Sequence, residues 1–329
     1  MDTSKHYCMI DNLRLIAIFC VVLGHLCETV HFYGSDFLYI WIYSFHMPLF
    51  ACISGFCFSY GKGEKYKVLK NLIYPYLIFQ TLWALFNINV MNDQSSLQYT
   101  TPVWVMWYLM STSAWYFAAH LLEVNGACAK IIFPVSILIA LITGYDITIG
   151  YFLSLSRTIV LFPFFYLGIC IRKNIPMLNK MRANMKYRIL SVCVLFACTI
   201  LIFIFRFEIS SSWLYHSLDY IRSGSNIVYR NIILLTATVI ILSLFCIAPE
   251  RNLGFLTRLG QNTMPVFLLH GFVVKVMDLI NWGSYVQAKF LWCIIISLLM
   301  VFVFGSKPAA ALLRPLVRWP FSKPSKPIK

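Results

Sequence analysis

Four ionisable side chains sit inside the first apolar run of this sequence: Asp11, Arg14, His25 and Glu28. At 100° per residue they fall at roughly 0°, 300°, 320° and 260° around a helix, so they share one face. Charged groups at membrane depth are costly, and those retained usually face a bundle interior or a water-filled cavity. The chemistry on offer is specific. A guanidinium such as Arg14 holds phosphate or carboxylate, and an imidazole such as His25 takes and returns a proton near neutral pH. Glu28, one turn further on, can orient that ring. Arg14 and His25 are ~16 Å apart along the axis, about half the hydrocarbon thickness. Arg14 therefore belongs near a membrane boundary and His25 deep inside, with a passage expected between them. The plainer alternative is that Arg14 snorkels and pairs with Asp11 at i,i+3, while His25 bonds a neighbouring helix.

Further groups extend the site. Tyr43, His46 and Pro48 form one cluster, in which Pro48 frees a backbone carbonyl beside His46. Broken helices in membranes line cavities, although a structural kink satisfied by His46 explains the cluster equally well. Tyr43, His46 or Ser54 could donate to a developing oxyanion. Trp104, Trp107 and Tyr108 read first as an interfacial aromatic belt and second as a sugar platform, with Trp107 the substrate-binding candidate. Arg157, beside Ser154 and Ser156, stands on the outer side against the charge rule, which points it at a cavity and at substrate. His270 reads as a packed residue.

The elements that must position these groups are membrane helices. The chain has 329 residues, 60% hydrophobic and only 12% charged, against about 25% charged in soluble chains. Ten apolar runs, near 9–30, 37–60, 71–91, 103–122, 131–148, 158–171, 189–207, 231–248, 263–281 and 288–306, predict an all-α, polytopic bundle of about ten transmembrane helices. Prolines 48, 75, 134, 163 and 265 are expected to kink or break theirs. With the N-terminus in the cytoplasm, 20 of the 27 Lys and Arg residues fall on the cytoplasmic side, so both termini are placed there. Residues 1–306 form the membrane domain and 307–329 a basic cytoplasmic tail. Its apolar residues, Leu312, Leu313, Leu316, Val317, Trp319 and Phe321, suit the headgroup region. The net charge of +15 fits orientation and anionic lipid, not nucleic acid. Most of the eleven cysteines lie in apolar runs without a CxxC, which predicts neither disulfides nor a metal site. Phosphate-binding loops, GxGxxG and HExxH are absent. An HxxxxD spacing occurs twice, at His6–Asp11 and His31–Asp36, in unrelated contexts that suggest chance.

Several short motifs then line up in order. Asp11-Asn-Leu-Arg14 with Gly24-His25 is followed by Phe45-His46-Met47-Pro48-Leu49-Phe50 and Ile53-Ser54-Gly55-Phe56. Tyr74-Pro75-Tyr76, Trp107-Tyr108-Leu109, Ser156-Arg157-Thr158 and Phe162-Pro163-Phe164-Phe165 come next, then Gly260-Gln-Asn-Thr263 leading to Leu268-Leu269-His270. This set resembles the membrane acyltransferase-3 family, and within it the fucose 4-O-acetylase-like O-acetyltransferases, over nearly the whole chain. The resemblance implies ten helices, a cytoplasmic acetyl-CoA donor and an extracytoplasmic or lipid-linked glycan acceptor of capsule, exopolysaccharide or O-antigen type. It implies a multi-pass protein of a bacterial plasma membrane. It also makes His25 the catalytic residue, with Arg14 essential beside it. On that basis Glu28 and His46 join the catalytic set, Arg14, Asp11, Lys62 and Lys65 meet the donor, and Tyr43, Trp107 and Arg157 meet the acceptor. The competing reading is a transporter of a lipid-linked sugar or small molecule, which also places charges and broken helices at mid-membrane.

Overall fold

The computed structural model describes residues 6–59, 68–93, 97–122, 124, 129–280 and 286–317. Among them every regular element is helical. All ten apolar runs become helices, but five are long and apolar enough to cross a membrane unaided: Cys8–Thr29, Ser35–Cys57, Phe152–Lys173, Met185–Ile204 and Ile227–Ile247. A sixth arises if Lys289–Phe304 and Lys307–Val317, bent by 68°, count as one. The chain is a multi-pass membrane protein.

Helix α1 (Cys8–Thr29) is the axis of the bundle. Leu13, Ala17, Val22 and Leu26 are fully buried on it, between α2 (Ser35–Tyr43), α3 (His46–Cys57) and the C-terminal helices. Its polar stripe accordingly faces protein and cavities, since water-free lipid would leave those groups unsatisfied. Buried Asn12 anchors its start. The Asn12 amide donates to the carbonyls of Pro249 (2.9 Å) and Arg251 (3.2 Å) and accepts from the Thr257 hydroxyl (2.8 Å).

The break between α2 and α3 falls at Ser44–Phe45, where Phe45 leaves helical geometry (φ −141°, ψ −22°). Pro48 explains the position. A proline ring clashes with the carbonyl four residues earlier, here that of Ser44. Beside the break, the Ile42 carbonyl accepts from both the Phe45 N–H at 3.2 Å and the His46 Nδ1 at 2.9 Å. A π-helical turn, Leu69–Ile73, leads into α4 (Tyr74–Asn89), and a single 3-10 turn, Trp104–Met106, into α5 (Trp107–Leu121). Helices α6 (Ala129–Ile142) and α7 (Leu155–Lys173) follow. After them come α8 (Ile175–Ala183), α9 (Met185–Ile204), the short α10 (Ser211–Tyr215) and α11 (Tyr220–Ser223), and α12 (Ile227–Ile247). The last four are α13 (Phe255–Gln261), α14 (Thr263–Asp278), α15 (Val286–Phe304) and α16 (Lys307–Val317).

The proline expectation holds at Pro48, where the α2–α3 span breaks, and needs correcting at the others. Pro75 and Pro265 lie in the first turn of α4 and α14, where a missing N–H costs nothing. Pro134 and Pro163 sit inside helices that remain continuous. The tail is partly docked: Leu313 is buried, the Tyr74 hydroxyl donates to the Pro315 carbonyl (3.1 Å), and Leu312 stays exposed. Trp319 and Phe321 lie outside the described residues.

The closest helix contact joins α3 to α7. A Cβ on Gly55 would overlap the Phe165 carbonyl, and one on Gly168 the Cys52 carbonyl. The two glycines face opposite backbones, so the helices touch main chain to main chain, as small residues permit in membranes. This contact holds the lower half of α3 against α7, the helix that carries Arg157.

Candidate active site

Two cavities lie along the polar stripe of α1. The first, about 290 Å³, is lined by His25, Glu28, Tyr43, His46, Trp107 and Arg157, which gathers six of the candidates from five helices. The second, about 500 Å³, is lined by Arg14 with Ser54, Cys57, Asn71, Tyr108 and Gln261. Phe267 lines both. In place of the one passage expected between Arg14 and His25 there are two cavities that share this side chain.

His25 is held on one nitrogen and open on the other. Its Nδ1 lies 3.0 Å from the Tyr43 hydroxyl and 3.5 Å from Glu28 Oε2. Tyr43 reaches the same carboxylate oxygen at 3.4 Å, and the Tyr215 hydroxyl donates to Glu28 Oε1 at 3.1 Å. The Tyr39 hydroxyl adjoins that of Tyr215. One proton assignment satisfies the chain: His25 Nδ1–H donates to Tyr43, and Tyr43 donates to the Glu28 carboxylate. That tautomer leaves the Nε2 lone pair free. Among the described residues Nε2 has no protein partner, which suits a base waiting for a substrate hydroxyl. Replacing Tyr43 with phenylalanine keeps its packing on Tyr39 and His46 but removes the bridge. Loss of a hydrogen bond within a charged network corresponds to about 10- to 100-fold in rate. The fall should appear in kcat with the donor KM little changed; unaltered kinetics would remove the bridge from the mechanism.

The rest of the first cavity is aromatic and strained. Trp104 lies 4.6 Å from the His25 ring, and His270 stacks on it at 5.5 Å. Trp107 lies under the Arg157 guanidinium at 4.9 Å, and Arg157 Nε donates to the Tyr215 carbonyl at 3.0 Å. Thus Trp104 and Trp107 line the cavity, and His270, expected to be merely packed, abuts the imidazole. His270 Nδ1 donates to the Val266 carbonyl at 3.0 Å, and its buried Nε2 has no partner among the described residues. His216, in the loop before α11, also lines the cavity. Burial, then the charges of Arg230 and Arg157, push its imidazole down to about 3, so it is neutral at physiological pH. Among the described residues, four of the five non-glycine residues with positive φ lie in or beside it: Trp104 (41°) and His216 (53°) line the cavity, and Leu153 (49°) with Ser154 (54°) come just before Arg157. Such strain persists where surroundings enforce it, commonly at functional sites.

At the other end Arg14 donates to Asp11 at 3.2 Å and to the Cys57 sulfur at 3.0 Å. Asp11 is buried and does not line the cavity. It also meets His6 at 2.7 Å and Gln261 at 3.1 Å, so it fixes the guanidinium and does not face a ligand. The His6–Asp11 spacing thus forms a side-chain contact at the mouth of α1. Ser54, considered as an oxyanion donor, lines the Arg14 cavity and bonds Tyr108 at 2.8 Å, away from His25. Lys62 and Lys65 lie outside the described residues.

An imidazole backed by a carboxylate, on the same helix as a cavity-facing guanidinium, is equipment for transfer chemistry. The family comparison agrees. A family model described as "Acyltransferase domain" matches residues 9–306, and the chain belongs to that acyltransferase-3 family. It is an enzyme of the acyltransferase class. It is similar to two proteins named "Nodulation protein NolL". The one from Mesorhizobium japonicum is 23% identical over 86% of this chain and 80% of the relative. The one from Sinorhizobium fredii is 26% identical over 85% and 81%. No solved structure matches the chain.

Proposed function

We propose that this protein moves an acetyl group from cytoplasmic acetyl-CoA to a hydroxyl of an extracytoplasmic or lipid-linked glycan, of capsule, exopolysaccharide or O-antigen type, at a bacterial plasma membrane. The observation that carries the reading is the bound Nδ1 and open Nε2 of His25 above the Arg14 cavity. The glycan hydroxyl enters the aromatic cavity, where Trp107 and Tyr43 offer flat faces and Arg157 a cation. His25 Nε2 takes its proton as the oxygen attacks the thioester carbonyl carbon. The C–S bond breaks, and the proton passes from His25 to the departing thiolate. Glu28 and Tyr43 stabilise the imidazolium in between; His46 holds the break in the α2–α3 span.

Arg14, open to the other cavity, meets the anionic part of the donor, aided by basic residues of the adjoining segments, Lys62 and Lys65 among them. The twenty basic residues on one side support ten spans with both termini in the cytoplasm, and residues 307–329 as a basic surface segment. Arg14→Lys keeps the charge but loses the planar fork. Its acetyl-CoA KM is expected to rise about tenfold, the loss of one hydrogen bond to a charged group; an unchanged KM assigns Arg14 to structure.

The deciding experiment incubates membranes containing the protein with radiolabelled acetyl-CoA and separates polysaccharide, lipid and protein fractions. Base-labile label in glycan, on a polymer or a lipid carrier, is the expected result. Label confined to protein or to simple lipid, or no label, overturns the assignment.

A further inference from the structure

Phe267 stands where the two cavities meet, and it is 8% exposed. The helices beside it pass from one cavity to the other at the same level. On α1, Ile18 lines the Arg14 cavity and Val21 the His25 cavity. On α3, Phe50 lines the former and Pro48 the latter. On α14, Met264 lines the Arg14 cavity, while His270, one turn beyond Phe267, stacks on His25. The Phe267 ring is braced edge-on by Tyr108 at 5.6 Å. Tyr108 is itself fixed through its hydroxyl to Ser54 (2.8 Å) and the Phe50 carbonyl (3.0 Å).

Resting on the donor assignment above, we propose that Phe267 is the partition between donor and acceptor cavities and sets the size of acyl group transferred. A donor anchored at Arg14 must bring its thioester past this ring to reach His25. The acyl group then lies between the ring and the wall formed by Val21 and Pro48. A two-carbon group fits beside a phenyl ring in a packed layer; each further methylene must displace it, and close-packed interiors resist that. The same ring limits water. With the partition open and no glycan present, water reaches the thioester: its oxygen forms the new C–O bond, the C–S bond breaks, and His25 carries the proton to the thiolate, giving acetate and free CoA thiol.

The test compares wild type, Phe267→Ala and Phe267→Leu in membranes, with two readouts. One is the ratio of butanoyl to acetyl transfer from the two CoA thioesters. The other is thiol release from acetyl-CoA without acceptor. Phe267→Ala is expected to raise the ratio about tenfold or more and acceptor-free thiol release several-fold, with Phe267→Leu intermediate in both. If the alanine variant fails to accumulate, the leucine variant is decisive, with a ratio raised at least threefold expected. Ratios and hydrolysis within twofold of wild type, in a variant that still transfers acetyl, overturn the partition and leave the donor assignment standing. A wild type that uses neither thioester overturns the donor assignment and this inference with it.

Discussion

His25→Ala is expected to lower acetyl transfer by about 10²- to 10⁴-fold, the range a positioned general base supplies. The variant should still insert and accumulate. His25 sits at the edge of a cavity with its side chain 12% exposed, and alanine there deletes contacts with Tyr43, Trp104 and His270 without leaving a buried charge. The loss should fall on kcat, because Arg14, the proposed donor anchor, lines the other cavity. Glu28→Gln gives the matching control. It preserves shape but removes the charge that stabilises the imidazolium, so it should lie between wild type and His25→Ala. Initial rates of label transfer, normalised to protein in the membrane, check both. Activity above a tenth of wild type in His25→Ala would take the imidazole out of the reaction.

The polar stripe of α1 was legible because helical periodicity alone gathers residues 11, 14, 25 and 28 onto one face, and burying that face is obligatory in lipid. Tyr43 and His46 were legible through Pro48, although the break lies three to four residues earlier, where the proline ring meets a carbonyl. What escaped were contacts made by distance in sequence. Tyr215 reaches Glu28 across 187 residues, and nothing in the local pattern of the short helix α10 announces it. Trp104 was ambiguous for a chemical reason, since an indole serves an interfacial belt and a substrate wall equally well. His270, read as packed, is fully buried, and what the sequence did not show is that it packs on the His25 ring. Phe267, the side chain that lines both cavities and the partition proposed above, is one of 27 phenylalanines in the chain. Only packing distinguishes it from the others.

The second large effect concerns the frame. Gly168→Ala is expected to destabilise the protein by about 3 kcal/mol or more, at or beyond the upper end for overpacking. The added methyl group would overlap the Cys52 carbonyl and crowd the Phe56 amide. These are backbone atoms, so no rotamer change relieves the clash; α3 must move away from α7. That shift is felt on both sides of the site. The lower part of α3 carries Cys57, which touches Arg14, and α7 carries Arg157. Gly55→Ala meets the Phe165 carbonyl from the opposite direction and should behave alike. Because the two substitutions open the same interface, their combined cost should be less than the sum of the two. Gly150→Ala is the control: a Cβ there meets nothing within 4 Å, and a surface change of that kind stays within about 0.5 kcal/mol. Thermal unfolding in detergent separates the cases, with melting temperatures for the first two lower by roughly 6–12 °C and the third unmoved. Melting of Gly168→Ala at the wild-type temperature would mean that α3 and α7 do not meet backbone to backbone. The joint placement of the Arg14 and Arg157 ends of the site would then need another support.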